Sequence, residues 1–300
     1  MKPKESQSND SISFLSPIFK EGAFSRPDET DDALFYARDR FVNHLDSLAL
    51  QTVEKLIGEL IVEESPVILD LMAGWDSHLS QTNRPSKVVG LGLNENELRR
   101  NRALTEYIIH DLNRTPQLPF SDETFDAVIC TVSLDYMTRP IEVFRAVGRV
   151  LKPGGLFLVL FSNRMFPQKA VKVWEESDED ERILLVEEFF KASGVFGKTT
   201  TFVSKGKPRP ENDKYAGAVA LSDPVFAVYA EKPGGHPARK SRPRPVSFWG
   251  IEPSKQEMND RKKRVKDTLR CPYCQQELKK WEVPDNPFCQ TWDNDYMYIC

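Results

Sequence analysis

Short apolar runs alternate along the chain with segments whose apolar positions fall at helical spacing. Residues 67–71, 88–93, 127–132 and 156–161 are near-continuous apolar runs. Runs of this length fit strands of a parallel sheet covered on both faces. Residues 141–151 carry apolar side chains at 141, 143, 144, 147, 150 and 151, which is one face of a helix. Pro153, Gly154 and Gly155 then end that helix and turn the chain. Residues 66–94 read as strand, turn, short helix and strand, and residues 199–204 and 225–231 read as the last two strands. An amphipathic pattern over residues 31–61 predicts a helix before the first strand, with Tyr36, Arg40 and His44 on one face. The acidic run at residues 175–181 reads as a solvated turn. Strand and helix in alternation predict a doubly wound α/β sheet, with the ligand crevice beyond the carboxyl ends of the strands.

Composition narrows the class. Three hundred residues suit one medium α/β domain plus something small. Apolar residues make up 40% and the net charge is −4, an ordinary globular balance. No apolar run reaches the ~18 residues of a membrane span, and the polar first ten residues lack a signal-peptide core. The chain therefore reads as cytoplasmic, without a membrane partner. Five cysteines do not make a disulfide framework in such a chain. Cys130 lies inside an apolar strand and reads as a packing residue.

Charge and cysteines set the C-terminal part aside. Residues 236–270 hold eleven Lys or Arg against four Asp or Glu, within a Pro-containing, non-periodic stretch. It reads as a tether, or as an arm for contact with nucleic acid. Cys271-Pro272-Tyr273-Cys274 follows, a spacing that lets two thiolates grip one zinc ion from a single turn. Cys289 and Cys300 complete a four-cysteine set. Alternatively Cys300 opens a second knuckle whose partner lies past the end of this chain, and Cys289 is a bystander. The organisation expected is an unstructured N-terminus at 1–30, an α/β domain at 31–232, a basic linker at 233–268 and a zinc-ribbon-like segment at 269–300, either whole or truncated.

Two later motifs give the α/β part a family resemblance. Leu118-Pro119-Phe120, with Phe125-Asp126, enters the fourth strand, and Val150-Leu151-Lys152-Pro153-Gly154-Gly155 leads into the fifth. Together they resemble the class I S-adenosylmethionine (SAM) methyltransferases of the type 11 group. The resemblance implies a seven-stranded Rossmann-like sheet with a reversed last hairpin, SAM as cofactor, and a helix before the first strand that caps the site. Carried over residue by residue, it places the methionine end of SAM at Asp70, Ala73 and Gly74. Two loop glycines of the family are replaced, by Met72 and Asp76. Gly92 stands where the ribose-binding acid belongs, and Asn94 is the nearest substitute. On this view Gly92→Asp should tighten binding. Asp111 and Leu112 match the adenine side, and Thr131 ends the fourth strand. Asp135, Tyr136, Asn163 and Arg164 are the residues expected to meet substrate.

Methyl transfer needs alignment and exclusion of water more than an acid or base, so no catalytic side chain is singled out. The function implied is methyl transfer to a small-molecule or macromolecular acceptor. The alternative is a non-catalytic relative that binds a partner or another small molecule. A dinucleotide oxidoreductase is disfavoured, because the first loop lacks its glycine pattern and the second strand lacks its acid.

Overall fold

The computed structural model describes residues 21–80, 83–234, 241–250, 279–282 and 296–299. Its centre is an eight-stranded sheet in the order β3-β2-β1-β4-β5-β7-β6-β8. The strands are β1 (Val67–Leu71), β2 (Lys87–Gly92), β3 (Glu106–Ile109), β4 (Phe125–Thr131), β5 (Leu151–Phe161), β6 (Thr200–Lys205), β7 (Val225–Glu231) and β8 (Phe248–Trp249). Neighbours β3, β2, β1, β4 and β5 pair in parallel, and β7 runs antiparallel to both β5 and β6. This is the Rossmann-like arrangement expected, enlarged by one strand. The eighth strand comes from the stretch read as linker: β8 pairs in parallel with the free edge of β6. Just before it, Arg242 is buried between Glu63 and Glu231, with its guanidinium also on the carbonyl of Leu60. A proline-arginine run carries no periodicity, so this docking had no signature in the pattern.

Both faces of the sheet are covered. On one face α4 (Pro140–Val150) and α6 (Glu179–Ser193) pack Val143, Phe144, Val147, Leu185, Val186, Phe189 and Phe190 onto Leu69, Val128, Phe157 and Val228. On the other, α2 (Ser47–Leu60) buries Val53, Leu56, Ile57 and Leu60 against Ile68, Ile129, Leu158 and Ala227. Cys130 is fully buried in the first layer, and burial pushes its thiol well up, so it is a packing residue. The sequence places a sharp turn at Pro153; here β5 starts at Leu151 and runs through it, with only Gly154 in the left-handed region at φ 75°.

Three local expectations are corrected. Residues 31–61 are not one helix. α1 (Asp32–Phe35) is a single turn, and α2 starts afresh at Ser47, capped by Asp46. Tertiary bonds hold the backbone between them: Arg40 N donates to Glu97, Val42 O accepts from Trp75 and Tyr36 O accepts from Asn94. No helix joins β1 to β2 among the described residues; the short helix α3 (Glu95–Arg100) lies after β2. The acidic run is the start of a helix. Asp178 and Glu181 form a reciprocal capping box that opens α6, which places acids where a helix N-terminus favours them. Before it α5 (Lys172–Glu175) adds one turn.

At the C-terminal end, β9 (Lys279–Glu282) and β10 (Tyr296–Ile299) pair antiparallel. Cys271, Cys274, Cys289 and Cys300 lie outside the described residues. No helix among the described residues is long and apolar enough to cross a membrane.

Candidate cofactor and acceptor site

A cavity of about 440 Å³ opens beyond the carboxyl ends of β1, β2 and β4. A doubly wound sheet places its ligand there, because the connections diverge on either side of β1. All eight residues assigned to the cofactor line it: Asp70, Ala73, Gly74, Gly92, Asn94, Asp111, Leu112 and Thr131. Of the four assigned to substrate, Tyr136 and Arg164 line it, and Asp135 and Asn163 do not. Asp135 is buried beneath the site, 2% exposed, and Asn163 is exposed on the surface.

The eight differ in what they can offer. Asp70 is enclosed, and burial pushes its carboxyl up to about 7 against a lowering hydrogen bond from Ser77. Asp111 holds its own turn, accepting from Asn113 N and Arg114 N through Oδ1. Asn94 cannot stand in for the missing acid. Its Oδ1 caps α3 by accepting from Glu97 N, and its Nδ2 donates to Tyr36 O and Asp39 Oδ1. Gly92 cannot regain an acid either. A Cβ at that position would lie 2.3 Å from the carbonyl oxygen of Ala73, so Gly92→Asp would displace the loop instead of tightening it. Thr131 Oγ1 is buried on the cavity wall with no hydrogen-bond partner, a donor and acceptor waiting for a ligand.

The wall of the cavity is strained. Met72, His78 and Val132 line it with φ of 58°, 51° and 50°, a region where side chains other than glycine are disfavoured. Each such residue stores on the order of 1–3 kcal/mol. Met72 occupies a position where the resembled family has glycine, so the loop keeps the left-handed turn after losing the residue that makes it easy. The surrounding bonds impose it: Ala73 N donates to Leu91 O, and Asn101 Nδ2 to Gly74 O.

The chain from residue 22 to 46 forms a lid. It is anchored from below by Lys169, whose wholly buried ammonium meets Asp32 at 3.2 Å and Thr30 O at 2.7 Å. Arg26 closes on the other side of Asp32 at 2.8 Å. Burial alone would raise the Asp32 pKa; hydrogen bonds from Arg26 and Asn113 outweigh it and hold the carboxyl below its ordinary value. Tyr36, Arg40 and His44 do reach the cavity, from an irregular segment and not from one helix face. The Arg40 guanidinium sits over Phe35, Tyr36 and Phe166 at 4.8, 5.5 and 5.2 Å. His44 packs edge-on to Phe166, and burial, helped by Arg40, pushes its pKa down to about 4, so it is neutral near pH 7. Tyr136 stacks on Phe166 and accepts from its backbone N–H.

The far end of the cavity was not visible in the sequence. Arg209, Asp213, Lys214, Tyr215 and Asp223 reach it from the β6–β7 connection, and Asp46 from the cap of α2. The guanidinium of Arg164 is held by Asp223 at 2.7 Å, which removes it as a free contact for substrate. Glu97, Trp75 and His78 also line the cavity without a sequence signal beyond their nearness to the strand ends. Among the described residues no cluster of three or more His, Cys, Asp or Glu could hold a metal ion.

Fold and site together define a doubly wound α/β domain with its ligand crevice at the carboxyl ends of β1, β2 and β4. Residues 69–159 match the family model described as a methyltransferase domain. The chain is 34% identical over 113 residues to a fatty-acid O-methyltransferase of Mycolicibacterium smegmatis, covering 36% of this chain and 39% of that protein. It is 28% identical over 157 residues to a malonyl-[acyl-carrier protein] O-methyltransferase of Marinomonas sp., covering 48% and 57%. The chain thus spans less than two thirds of the length of these curated relatives. A solved SAM-dependent methyltransferase from Aquifex aeolicus covers 63% of this chain and 91% of its own at 15% identity, with a TM-score of 0.39.

Proposed function

We propose that this chain transfers a methyl group from SAM to an acceptor entering under the aromatic lid. The observation that carries the reading is the convergence of Asp70, Gly74, Asp111, Leu112 and Thr131 on one cavity at the strand ends. The residues fit the cofactor: an unpartnered Thr131 hydroxyl, an enclosed carboxyl at Asp70 and a glycine turn lie where its parts would be held. Bound there, SAM supplies a methyl group already activated by its sulfonium. The chain has to align the acceptor and keep water out. Phe166, Tyr136 and Tyr36 exclude water, and the neutral His44 adds no cation to repel a sulfonium. The aromatic wall favours an acceptor with a planar or apolar body. Relatives named for a fatty acid and for malonyl-[acyl-carrier protein] do not fix the acceptor here.

Calorimetry with SAM and its demethylated product is the test. Heat of binding at millimolar ligand is expected; none, with the fold intact, would remove the enzyme reading. That outcome would select a non-catalytic relative, which the replacement of two loop glycines by Met72 and Asp76 favours.

The cysteine-rich end is proposed to hold one structural zinc ion through Cys271 and Cys274. Cys300 and either Cys289 or a residue past this chain would complete the site. Thiolates are the preferred ligands of structural zinc, and a CxxC turn sets two of them on one tetrahedral edge. Metal analysis of the whole protein should find about one zinc per chain. Absence of zinc, with both knuckle cysteines freely alkylated, would leave the spacing a coincidence.

A further inference from the structure

The tip of β2 is sealed by the chain itself. Ala73 N donates to Leu91 O at 2.8 Å, and the Ala73 carbonyl stands where a side chain on residue 92 would begin. An acid at β2 is therefore sterically barred as well as missing. Five residues further on, in the first turn of α3, Glu97 turns a carboxylate back over the same loop. Its Oε2 lies 3.3 Å from where a Cβ on Gly74 would be, so the bare glycine keeps the space between loop and carboxylate open.

The two oxygens of Glu97 have different surroundings. Oε1 accepts from Arg40 N at 2.7 Å, and Oε2 has no partner among the described residues. The side chain is half-buried on the cavity wall, and burial raises its pKa against the lowering Arg40 N–H. A half-buried carboxylate oxygen facing a cavity is open to accept from the hydroxyls of a ligand in exchange for water. Asn94 is committed at both ends of its amide and Asp111 is itself an acceptor, so neither supplies a donor to Oε2.

We propose that Glu97 is the carboxylate that receives the ribose hydroxyls of the adenosyl cofactor, in place of an acid at the tip of β2. The proposal rests on the SAM reading above. In a doubly wound sheet the sugar of an adenosyl ligand lies between the first loop and the end of the second strand, where an acid accepts its hydroxyls. Glu97 reaches that place from the helix when the strand cannot. Its bond to Arg40 N also ties it to the lid, so that sugar and lid meet on the two oxygens of one side chain.

The experiment titrates S-adenosylhomocysteine and its 2′,3′-dideoxy analogue into wild type, Glu97→Gln and Glu97→Ala, with melting curves to confirm folding. Glu97→Gln should weaken the natural ligand about tenfold to hundredfold, the worth of a charge-assisted hydrogen bond. Wild type should lose a similar factor on the dideoxy analogue, and the mutation should add little to that loss, because both changes remove one interaction. If Glu97 only anchors the lid, the variant weakens both ligands alike, and the proposal fails. Unchanged binding of both ligands by Glu97→Gln and Glu97→Ala would also overturn it. Failure of folded wild type to bind either ligand at millimolar concentration is a different result: it overturns the SAM reading, and this inference with it.

Discussion

Asp223→Ala should destabilise the domain by about 3–5 kcal/mol, the range seen when one member of a buried ion pair is removed. Asp223 is the hub of a buried network. Its Oδ1 accepts from Arg209 at 2.6 Å and from Arg164 at 2.7 Å, and its Oδ2 accepts from Asp46 N at 2.8 Å. Asp46 returns the bond by accepting from Asp223 N at 2.6 Å, and it caps α2 through Leu48 N and Ala49 N. Side-chain exposure is 1% for Arg209, 4% for Asp223 and 0% for Asp46, so water cannot replace what is lost. Removing Asp223 takes a shared carboxylate from Arg164 and Arg209, leaves Arg209 to Asp46 and Asp213, and leaves Asp46 N–H without this acceptor. Asp223→Asn keeps one acceptor oxygen for the guanidiniums but loses the charge and the bond from Asp46 N, so it should cost less than Asp223→Ala without being neutral. Urea unfolding of the two variants measures both effects. A midpoint for Asp223→Ala equal to wild type would show that the network is worth nothing net. A folded variant would also report on the cavity, since Arg164, Arg209 and Asp46 line it.

That network marks the limit of what the sequence could show. Asp46 and Asp223 are 177 residues apart, and neither sits in a periodic pattern or motif. That Asp70 and Thr131 share one cavity was legible because they stand at the ends of apolar runs. Once the runs at residues 67–71 and 127–132 are read as parallel strands, Asp70 and Thr131 must lie at the same edge of the sheet. Glu97 escaped because its importance comes from the position of Ala73 O, a backbone atom brought there by the fold. α6 escaped for a different reason: the acidic run that opens it reads as a solvated turn, and its apolar residues Leu185, Val186, Phe189 and Phe190 come after that run. β3 is a short edge strand with no fully buried residue, so its sequence carries almost no periodic signal. The lid was misread as a helix because its residues have adequate helical spacing. Bonds from Glu97, Trp75 and Asn94 decide its course instead, and they come from the loop after β1 and the chain after β2.

Asp135→Asn should stabilise the protein at pH 8 by about 2–4 kcal/mol, and the gain should vanish near pH 4. Asp135 is 2% exposed, its Oδ2 has no hydrogen-bond partner, and burial pushes its carboxyl up to about 7 against lowering contributions from Tyr136 and Arg182. An unfolded chain ionises the same group near pH ~3.9. Below that pH both states hold the proton, and the contribution to stability is fully present. As pH rises from about 4 towards about 7 the unfolded chain releases the proton while the folded chain keeps it, so stability falls across this window and is lost once the folded group ionises. Asparagine carries no charge in either state and fills nearly the same space, so the variant avoids the fall. Asp70 has its carboxyl pushed to the same value and should fall over the same window, but it lines the cavity, where a cationic ligand would favour its ionised form. Asp135 lies outside that cavity, which makes it the cleaner test. Urea unfolding of wild type and variant at pH 4.5 and pH 8 separates the outcomes. A difference that grows with pH is the expected result. An equal difference at both would show that Asp135 stays ionised throughout, held by Arg182 more strongly than burial opposes it.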